Sequence, residues 1–417
     1  MTEQGANDDD EQPADDGAEA SDVADAPAQL VRVADTLLAV DQEAFDACAN
    51  PEPARYNPFV AYAFLEALEA SGCVRAETGW LPQHLILEDE NGRIIGAAPA
   101  YLKTHSQGEF VFDHAWADAY QRAGGSYYPK LQLSVPFTPV PGPRLMVLPG
   151  EDAQRSERVL AAAAVELARR MKVSSVHVTF LEQAAWERLG GMGYLQRTDQ
   201  QFHFSNPGYG SFDDFLATLA SRKRKAVRKE RAQATEAGLQ ITHVIGADIT
   251  EAHWDAFFDF YIDTGSRKWG SPYLNREFFS LIGERMADRC LLMFASHGGR
   301  FVAGALNMIG GDCLYGRYWG ASEYHPCLHF ELCYYQAIDY AIAHGLARVE
   351  AGAQGQHKLA RGYVPETTYS AHWIADPGLS RAVERYLEDE RRHVEHAKAA
   401  LNEYTPFRKG QQQHDRD

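Results

Sequence analysis

Four side chains in the last quarter of the chain have the types and spacing for acid–base chemistry. His357 and Lys358 follow a short run with two glycines, residues 352–355, which comes directly after a predicted strand. His329 and Glu331 stand two residues apart at the start of a predicted helix. Imidazole, amine and carboxylate groups are those that most often move protons in enzymes, so these four residues are candidate catalytic groups. Structural roles stay open: the first pair could lie on a surface loop, and Glu331 could serve only the helix dipole.

Cationic and aromatic residues recur side by side in segments that are predicted to be loops or strand ends. Arginine is the usual bidentate partner of phosphate or carboxylate, and tryptophan can stack on a ring or fill the core. The combination favours an anionic substrate, with salt bridges between domains as the alternative. The candidate binding residues are Arg317, Tyr318, Trp319, Arg267, Lys268, Trp269, Arg361, Tyr363 and, in the corresponding loop of the first half, Arg144, Thr138 and Tyr128.

One basic segment contrasts with an acidic chain. Residues 221–231 hold seven lysines or arginines, whereas the formal net charge of the 417-residue chain is -18. The segment forms the second half of a predicted amphipathic helix over 211–237, which begins at Ser211 and stops at Gly238. Its charge density predicts an anion-binding wall for phosphates. The alternative is a solvated face that balances acidic neighbours.

Composition sets the class of protein and its compartment. Residues 1–31 carry ten acidic residues and no lysine or arginine, so we expect residues 1–29 to be a disordered tail and residues 406–417 to be a flexible C-terminus. The sequence shows neither a transmembrane segment nor a secretory signal. Six cysteines without CxxC pairing indicate reduced thiols and a cytoplasmic location. The segment 325–333, with two histidines and two cysteines, fits no structural zinc pattern, so no metal is predicted, and no DNA-binding module is recognisable.

The predicted elements occur twice. The first half gives a helix at 58–72, a hairpin at 84–103 around Asn91-Gly92, a helix at 151–171 and a strand at 173–181. The second half gives three strands over 290–322, a helix at 328–345 and a strand at 346–352. This correspondence indicates an internal duplication of about 200 residues.

Four long motifs carry a resemblance to a known family: "PFTPVPGPRL" (136–145), "RKWGSPYL" (267–274), "LHFELCYYQ" (328–336) and "GAQGQHKLARG" (352–362). With them, residues 30–405 resemble the FemAB-like family, labelled peptidoglycan biosynthesis or recognition, of the Gcn5-related N-acetyltransferase (GNAT) superfamily. The resemblance implies an α/β (α+β) fold of two tandem GNAT-like domains, 30–205 and 206–405. Each would be a mixed, mainly antiparallel sheet flanked by helices.

The resemblance also implies a transferase that moves an acyl or aminoacyl group onto an amine of an anionic, possibly cell-wall-related substrate. Acyl-CoA and aminoacyl-tRNA are the two candidate co-substrates, and no tightly bound cofactor is expected. The usual CoA pyrophosphate loop is not matched at 320–331, and the helical arm of tRNA-dependent relatives is missing. Two alternatives therefore stay open, an aminoacyl-tRNA-dependent peptidyltransferase acting on a peptidoglycan precursor and a non-catalytic ligand-recognition protein.

Overall fold

The computed structural model describes residues 29–236, 238–269, 272–352 and 355–408, with the backbone alone for 266–269. The predicted disordered tail, 1–29, lies outside these residues except for its last position, and so does most of the predicted flexible segment 406–417. Within the described residues, no helix is both long and apolar enough to cross a membrane.

Fifteen strands and twelve α-helices are found in this part of the chain. The strands are β1 Leu30–Ala34, β2 Trp80–Pro82, β3 His84–Glu88, β4 Ile94–Ala98, β5 Ala100–Lys103, β6 Lys130–Leu133, β7 Met146–Val147, β8 Ser175–Leu181, β9 Leu195–Ser205, β10 Gln240–Ile245, β11 Cys290–His297, β12 Arg300–Ile309, β13 Cys313–Ala321, β14 Arg348–Glu350 and β15 Val364–Ile374. The helices are α1 Gln42–Ala49, α2 Tyr62–Ala70, α3 His114–Arg122, α4 Ala153–Met171, α5 Gln183–Gly191, α6 Phe212–Thr218, α7 Ser221–Thr235, α8 Glu251–Trp269, α9 Arg276–Arg285, α10 Leu328–Phe330, α11 Gln336–Ala343 and α12 Pro377–Glu403, with a π-helical turn Glu331–Tyr335 between α10 and α11 and 3-10 helices at Leu37–Ala39, Pro53–Arg55, Ala76–Thr78, Gly246–Asp248, Ala287–Arg289 and Gln356–Arg361.

The strand pairing follows the duplication that the sequence indicates. In the second half, β10, β11, β12 and β13 pair in sequence order, and β13 then runs parallel to β14. In the first half, β1, β3 and β4 pair in the same way, and β6 runs parallel to β8. The counterpart of β12 is split into β4 and β5 at Pro99, because proline has no N–H for the ladder. The predicted hairpin over 84–103 is therefore three strands, and the mixed, helix-flanked sheet is confirmed.

The last strand of each half pairs with the other half. The order of the eleven-stranded sheet is β10-β11-β12-β13-β14-β9-β15-β8-β6-β5-β2, while β1, β3, β4 and β7 form a separate four-stranded sheet. β9 lies beside β14, and β15 lies between β9 and β8. The proposed domain boundary at 205/206 therefore comes directly after β9, a strand of the first half whose two neighbours in the sheet are strands of the second half.

A continuous apolar core supports this arrangement. One buried cluster contains residues from 34–146 together with residues from 254–315. Across the two halves, the rings of Phe59 and Tyr315 meet edge to face with centroids 5.3 Å apart, and those of Phe64 and Phe278 do so at 5.6 Å. The halves therefore share core packing as well as strands.

The helix that the sequence predicts over 211–237 is two helices, α6 and α7, and the basic segment 221–231 lies within α7. α6 ends before Leu219, whose extended backbone (ψ 148°) and that of Ala220 (ψ 142°) separate it from α7. Leu219 is fully buried, and the N–H of Ala220 donates to the Pro406 carbonyl at 2.8 Å. Pairing with the C-terminal segment thus replaces the helical hydrogen bonds at this point.

The exchanged strands lead to a prediction about fragments. A fragment of residues 30–205 lacks β15, which leaves facing edges of β8 and β9 unpaired, so we expect it not to unfold cooperatively on its own. Mixing or co-expression with residues 206–408 should restore a cooperative thermal transition. Circular dichroism melts of both fragments and of their mixture check this; a cooperative melt of the isolated first fragment would contradict it.

Candidate active site in the cleft between the two halves

A cleft opens where two parallel strands separate. β13 and β14 pair over only three residues, from Cys313–Arg348 to Tyr315–Glu350. The chain after Glu350 then turns at Gly352, whose φ of +75° favours glycine, while β13 continues along β12. The gap is part of a cavity of about 540 Å³.

Both halves contribute to the walls of this cavity, which we call the main cleft. Its lining residues are Gly108, Phe110, Phe112, Pro139, Phe180, Asp199, Gln200, Gln201, Phe202, Tyr261, Thr264, Gly265, Pro272, Tyr273, Arg317, Tyr318, Trp319, His329, Gly352, Gly355, Gln356 and Thr368. Apolar and aromatic side chains with a few polar groups are typical of small-molecule sites.

A second cavity of about 380 Å³ adjoins the main cleft. The loop between β13 and α10 forms much of it, with the lining residues Thr264, Trp319, Ala321, Ser322, Glu323, Tyr324, His325, Cys327, Leu328, His329 and Phe330. We call it the side cavity. The two cavities have Thr264, Trp319 and His329 in common, so His329 lies where they meet.

Arg317 connects β13 to the proline-rich loop of the first half. Its Nη2 donates to the Phe137 carbonyl at 2.7 Å, and the Tyr318 hydroxyl donates to the same oxygen at 3.4 Å. Among the described cleft-lining residues, Arg317 is the only arginine or lysine. No described carboxylate forms an ion pair with it, and its charge attraction is to buried Glu350, whose pKa it lowers against the larger effect of burial. Its charge is therefore available to an anion in the main cleft.

His329 is surrounded by aromatic rings. Its ring lies 5.3 Å from that of Trp319 and 5.4 Å from that of Tyr334, both edge to face, and 6.3 Å from the ring of His357. These contacts orient the imidazole at the junction of the two cavities. Of the four acid–base candidates, His329 alone lines them.

His357 and Lys358 line neither cavity but contact residues in or next to their walls. His357 is exposed, and its Nε2 lies 2.8 Å from the Tyr334 hydroxyl. Lys358 is buried, which lowers its pKa to about 8, and its Nζ donates to the Gly352 carbonyl at 2.8 Å. Since Gly352 lines the main cleft, Lys358 fixes the shape of that wall.

Glu331 is buried against the basic helix. Its carboxylate accepts from the guanidinium of Arg231 at 2.9 Å and from the side-chain amide of Gln336 at 2.8 Å. Arg361 makes the reciprocal contact, donating to Glu230 of α7 at 2.9 Å and stacking 3.4 Å over the ring of Phe330. These charged groups attach α7 to the π-helical turn Glu331–Tyr335 and to the 3-10 helix Gln356–Arg361.

Only part of the basic segment is used in this attachment. Arg231 pairs with Glu331 and Asp339, and Arg228 pairs with Asp213. Five further cations make no ion pair with any described residue: Arg222, Lys223, Arg224, Lys225 and Lys229. α7 lies beside the side cavity, since Cys327 Sγ contacts Gln233 Oε1 at 3.5 Å.

The remaining predicted binding residues either make contacts that stabilise the fold or have side chains outside the described part of the chain. Arg144 is buried and donates to the Val140 carbonyl at 2.6 Å, which fixes the proline-rich loop. Thr138 donates to the Pro136 carbonyl at 3.0 Å, and Tyr128 is 2.8 Å from the Ser106 hydroxyl. Tyr363 is buried in the core. The side chains of Arg267, Lys268 and Trp269 lie outside the described residues.

Sequence reasoning missed three polar residues in or near the main cleft, two of them on β9 and one at the end of β14. Asp199 and Gln200 reach it from β9, whose position depends on the strand exchange. Glu350 is buried at the point where β14 ends, which raises its pKa to about 7, and its Oε2 accepts no hydrogen bond from a described residue. Its place at the start of the glycine-bearing run was the available signal for Glu350; none in the sequence pointed to β9.

A buried charge cluster supports the opposite wall of the cleft. Lys130 donates to Glu109 at 2.7 Å, and its Nζ also contacts Asp113 and lies 2.8 Å from the Ser106 hydroxyl. The loop between Ser106 and Asp113 carries Gly108, Phe110 and Phe112 of the main cleft. Because breaking such a buried ionic group is costly, this wall is held in place.

Comparison with known proteins gives one family and a set of solved structures. The model of a FemAB-like family, described as peptidoglycan biosynthesis/recognition, matches residues 36–409. No curated protein matches the chain. The structure of FemX has 13% identity and a TM-score of 0.53, covering 83% of this chain and 98% of that one.

Two other solved structures are similar over comparable lengths. L-PGS from Bacillus licheniformis has 11% identity over 80% of this chain and 98% of that one, with a TM-score of 0.48. A tandem GNAT protein from the clavulanic acid biosynthesis pathway has 12% identity over 84% and 99%, with a TM-score of 0.45. At such identities, the likeness to FemX shows a shared fold.

Proposed function

Because the chain belongs to the FemAB-like family of peptidoglycan biosynthesis and recognition proteins, we propose that it is a transferase of the two-domain GNAT fold. It moves an acyl or aminoacyl group onto an amine of an anionic, cell-wall-related substrate. The observation that carries the proposal is the junction of two cavities at His329. Group transfer needs a donor and an acceptor to meet, and two cavities that share three residues provide for this.

Arg317 supports an anionic ligand in the main cleft. A guanidinium with no carboxylate partner among the described residues is expected to bind phosphate or carboxylate by charge-assisted hydrogen bonds. Its existing bond to Phe137 holds it in place before the ligand arrives. The anion would sit between the two halves, with the reacting amine directed toward His329.

His329 is the proposed acid–base group. An amine attacks an acyl carbonyl as its free base, which forms the amide C–N bond and breaks the thioester bond of acyl-CoA or the ester bond of aminoacyl-tRNA. The proton that the amine releases must be taken up and passed to the leaving CoA sulfur or tRNA oxygen. Neutral imidazole is suited to accept that proton near neutral pH. His357, Lys358 and Glu331 then have supporting roles, since they hold Tyr334, Gly352 and Arg231 in place.

The donor is acyl-CoA or aminoacyl-tRNA, and the position of α7 favours a polyanion. Its unpaired cations lie on the helix that flanks the side cavity, so a phosphate-bearing donor would be attracted to that side. An aminoacyl-tRNA offers the longer run of phosphates, which suits a series of cations along one helix. The side cavity would then receive the acyl or aminoacyl end.

The second candidate is recognition without turnover. The family description itself includes recognition, and the same Arg317 cleft would bind a phosphorylated cell-wall ligand. Both candidates use the main cleft, so binding alone does not separate them.

Removal of the cleft cation tests the ligand class. The R317A variant should bind an anionic ligand about 10–100-fold more weakly, because one charge-assisted hydrogen bond contributes about 1.5–3 kcal/mol. The matched control is Y318F, which also loses a hydrogen bond to the Phe137 carbonyl but keeps the charge. Thermal shift with acetyl-CoA, a nucleotide-linked peptidoglycan precursor and aminoacyl-tRNA measures this, since ligand at about 100 times its Kd adds about 2.7 kcal/mol. Equal shifts for R317A and Y318F would contradict the assignment.

Charge reversal on α7 tests the donor. The double variant R222E/K225E should weaken aminoacyl-tRNA binding and reduce its salt dependence, because fewer counterions are released. R381E/R385E on α12 is the matched control, with the same change in net charge at two exposed positions. Binding is measured by fluorescence anisotropy at several salt concentrations. Equal losses for both double variants, or an unchanged affinity for the α7 variant, would argue against a tRNA donor on this face.

A further inference from the structure

Three side chains of the types that ligate metals converge beside the side cavity, which two of them line. His297 is the last residue of β11, and Glu323 and His325 follow β13. One ligand atom from each lies within 4.8 Å of the other two. Glu323 and His325 are two residues apart, whereas His297 is distant in sequence, and the paired strands β11, β12 and β13 bring it to them.

The backbone fixes the places of these residues. His297 is opposite Arg300 in the register of β11 and β12, across a tight turn at Gly298 and Gly299 with φ of +58° and +78°. The loop that carries Glu323 and His325 is attached at Ser322, whose N–H donates to the Val302 carbonyl at 2.9 Å. Convergence therefore results from ordered turns rather than from a loose loop.

The distances suit a first-row transition metal. His325 Nε2 and Glu323 Oε2 are 3.3 Å apart. Two ligands at about 2.0–2.2 Å from a tetrahedral Zn²⁺ are separated by about 3.3–3.5 Å. The ligand atom of His297 lies within 4.8 Å of the other two, and its side chain is exposed, which leaves it room to move closer.

The second oxygen of Glu323 is held by another group. Arg300 pairs with Oε1, which orients the carboxylate and leaves Oε2 toward His325. The arginine is 75% exposed, so solvent screens its repulsion of a bound cation. A carboxylate whose outer oxygen is fixed in this way is the arrangement that metal sites commonly use.

We propose that His297, Glu323 and His325 form a binding site for one divalent late transition metal ion, with Zn²⁺ as the best fit. Two imidazole nitrogens and one carboxylate oxygen suit Zn²⁺, Co²⁺ or Ni²⁺, whereas Mg²⁺ and Ca²⁺ prefer oxygen ligands alone. Three protein ligands leave a fourth position for water or a ligand atom. Because Glu323 and His325 line the side cavity, the ion would lie at its edge.

Metal titration of the full chain tests the site. After treatment with a chelator, the protein should bind one Zn²⁺ per chain in competition with a chromophoric chelator. Co²⁺ should give the visible absorption of a tetrahedral site, and Mg²⁺ should not compete. The variants H297A, H325A and E323Q should each lower the Zn²⁺ affinity about tenfold or more, since loss of even an outer-shell partner costs about 10–100-fold.

Two controls separate this site from other surface donors. H393A removes one of two exposed histidines three residues apart on α12, and C327S removes the partly exposed thiol beside the side cavity. Both should keep wild-type Zn²⁺ affinity, and all variants should keep the wild-type Tm without metal because the changed residues lie on turns or on the surface. Absence of stoichiometric Zn²⁺ binding would overturn the proposal. So would unchanged affinity in H325A, or a loss in C327S or H393A equal to that in H325A.

Discussion

The exchange of β9 and β15 is the constraint on which the rest of the structure depends. Each strand completes a sheet that the other half begins, so the two copies cannot separate without breaking backbone ladders. The relative position of β13, the proline-rich loop and β9 is fixed as a result. A cleft built from both halves can then hold side chains in place without a ligand, as the shared carbonyl contact of Arg317 and Tyr318 illustrates.

The charged side chains of α7 fall into two groups, those that pair with the rest of the protein and those that do not. On the inner side of α7, Arg231 pairs with buried Glu331 of the π-helical turn, and Glu230 pairs with buried Arg361 of the 3-10 helix Gln356–Arg361. Buried pairs of this kind are costly to break, but they do not by themselves add stability. Their effect is to fix the direction in which the outer cations point. α7 thus has one face that is paired with the rest of the protein and another whose cations make no ion pair with a described residue.

Much of the fold could be predicted from the sequence, because hydrophobic periodicity and turn residues are local signals. The hairpin around Gly92 and the three strands between Cys290 and Ala321 are examples. The strand exchange and the break at Leu219 could not be predicted, since both depend on pairing with distant segments. For the candidate site, residue type and position predicted Arg317 and His329, and both line the main cleft. Residue type alone could not predict that Glu331 and Arg361 form ion pairs with Arg231 and Glu230 of α7, because these pairs depend on how α7 packs.

The most direct test of the account is a single-turnover transfer assay of H329A with the donor and acceptor that bind the wild-type protein. E331Q is the matched control, because it weakens the pair with Arg231 at a residue that lines neither cavity. The account predicts that H329A loses about 10²–10⁴-fold in rate while still binding both ligands, and that E331Q retains transfer wherever it remains folded. Transfer by H329A at the wild-type rate would contradict the account.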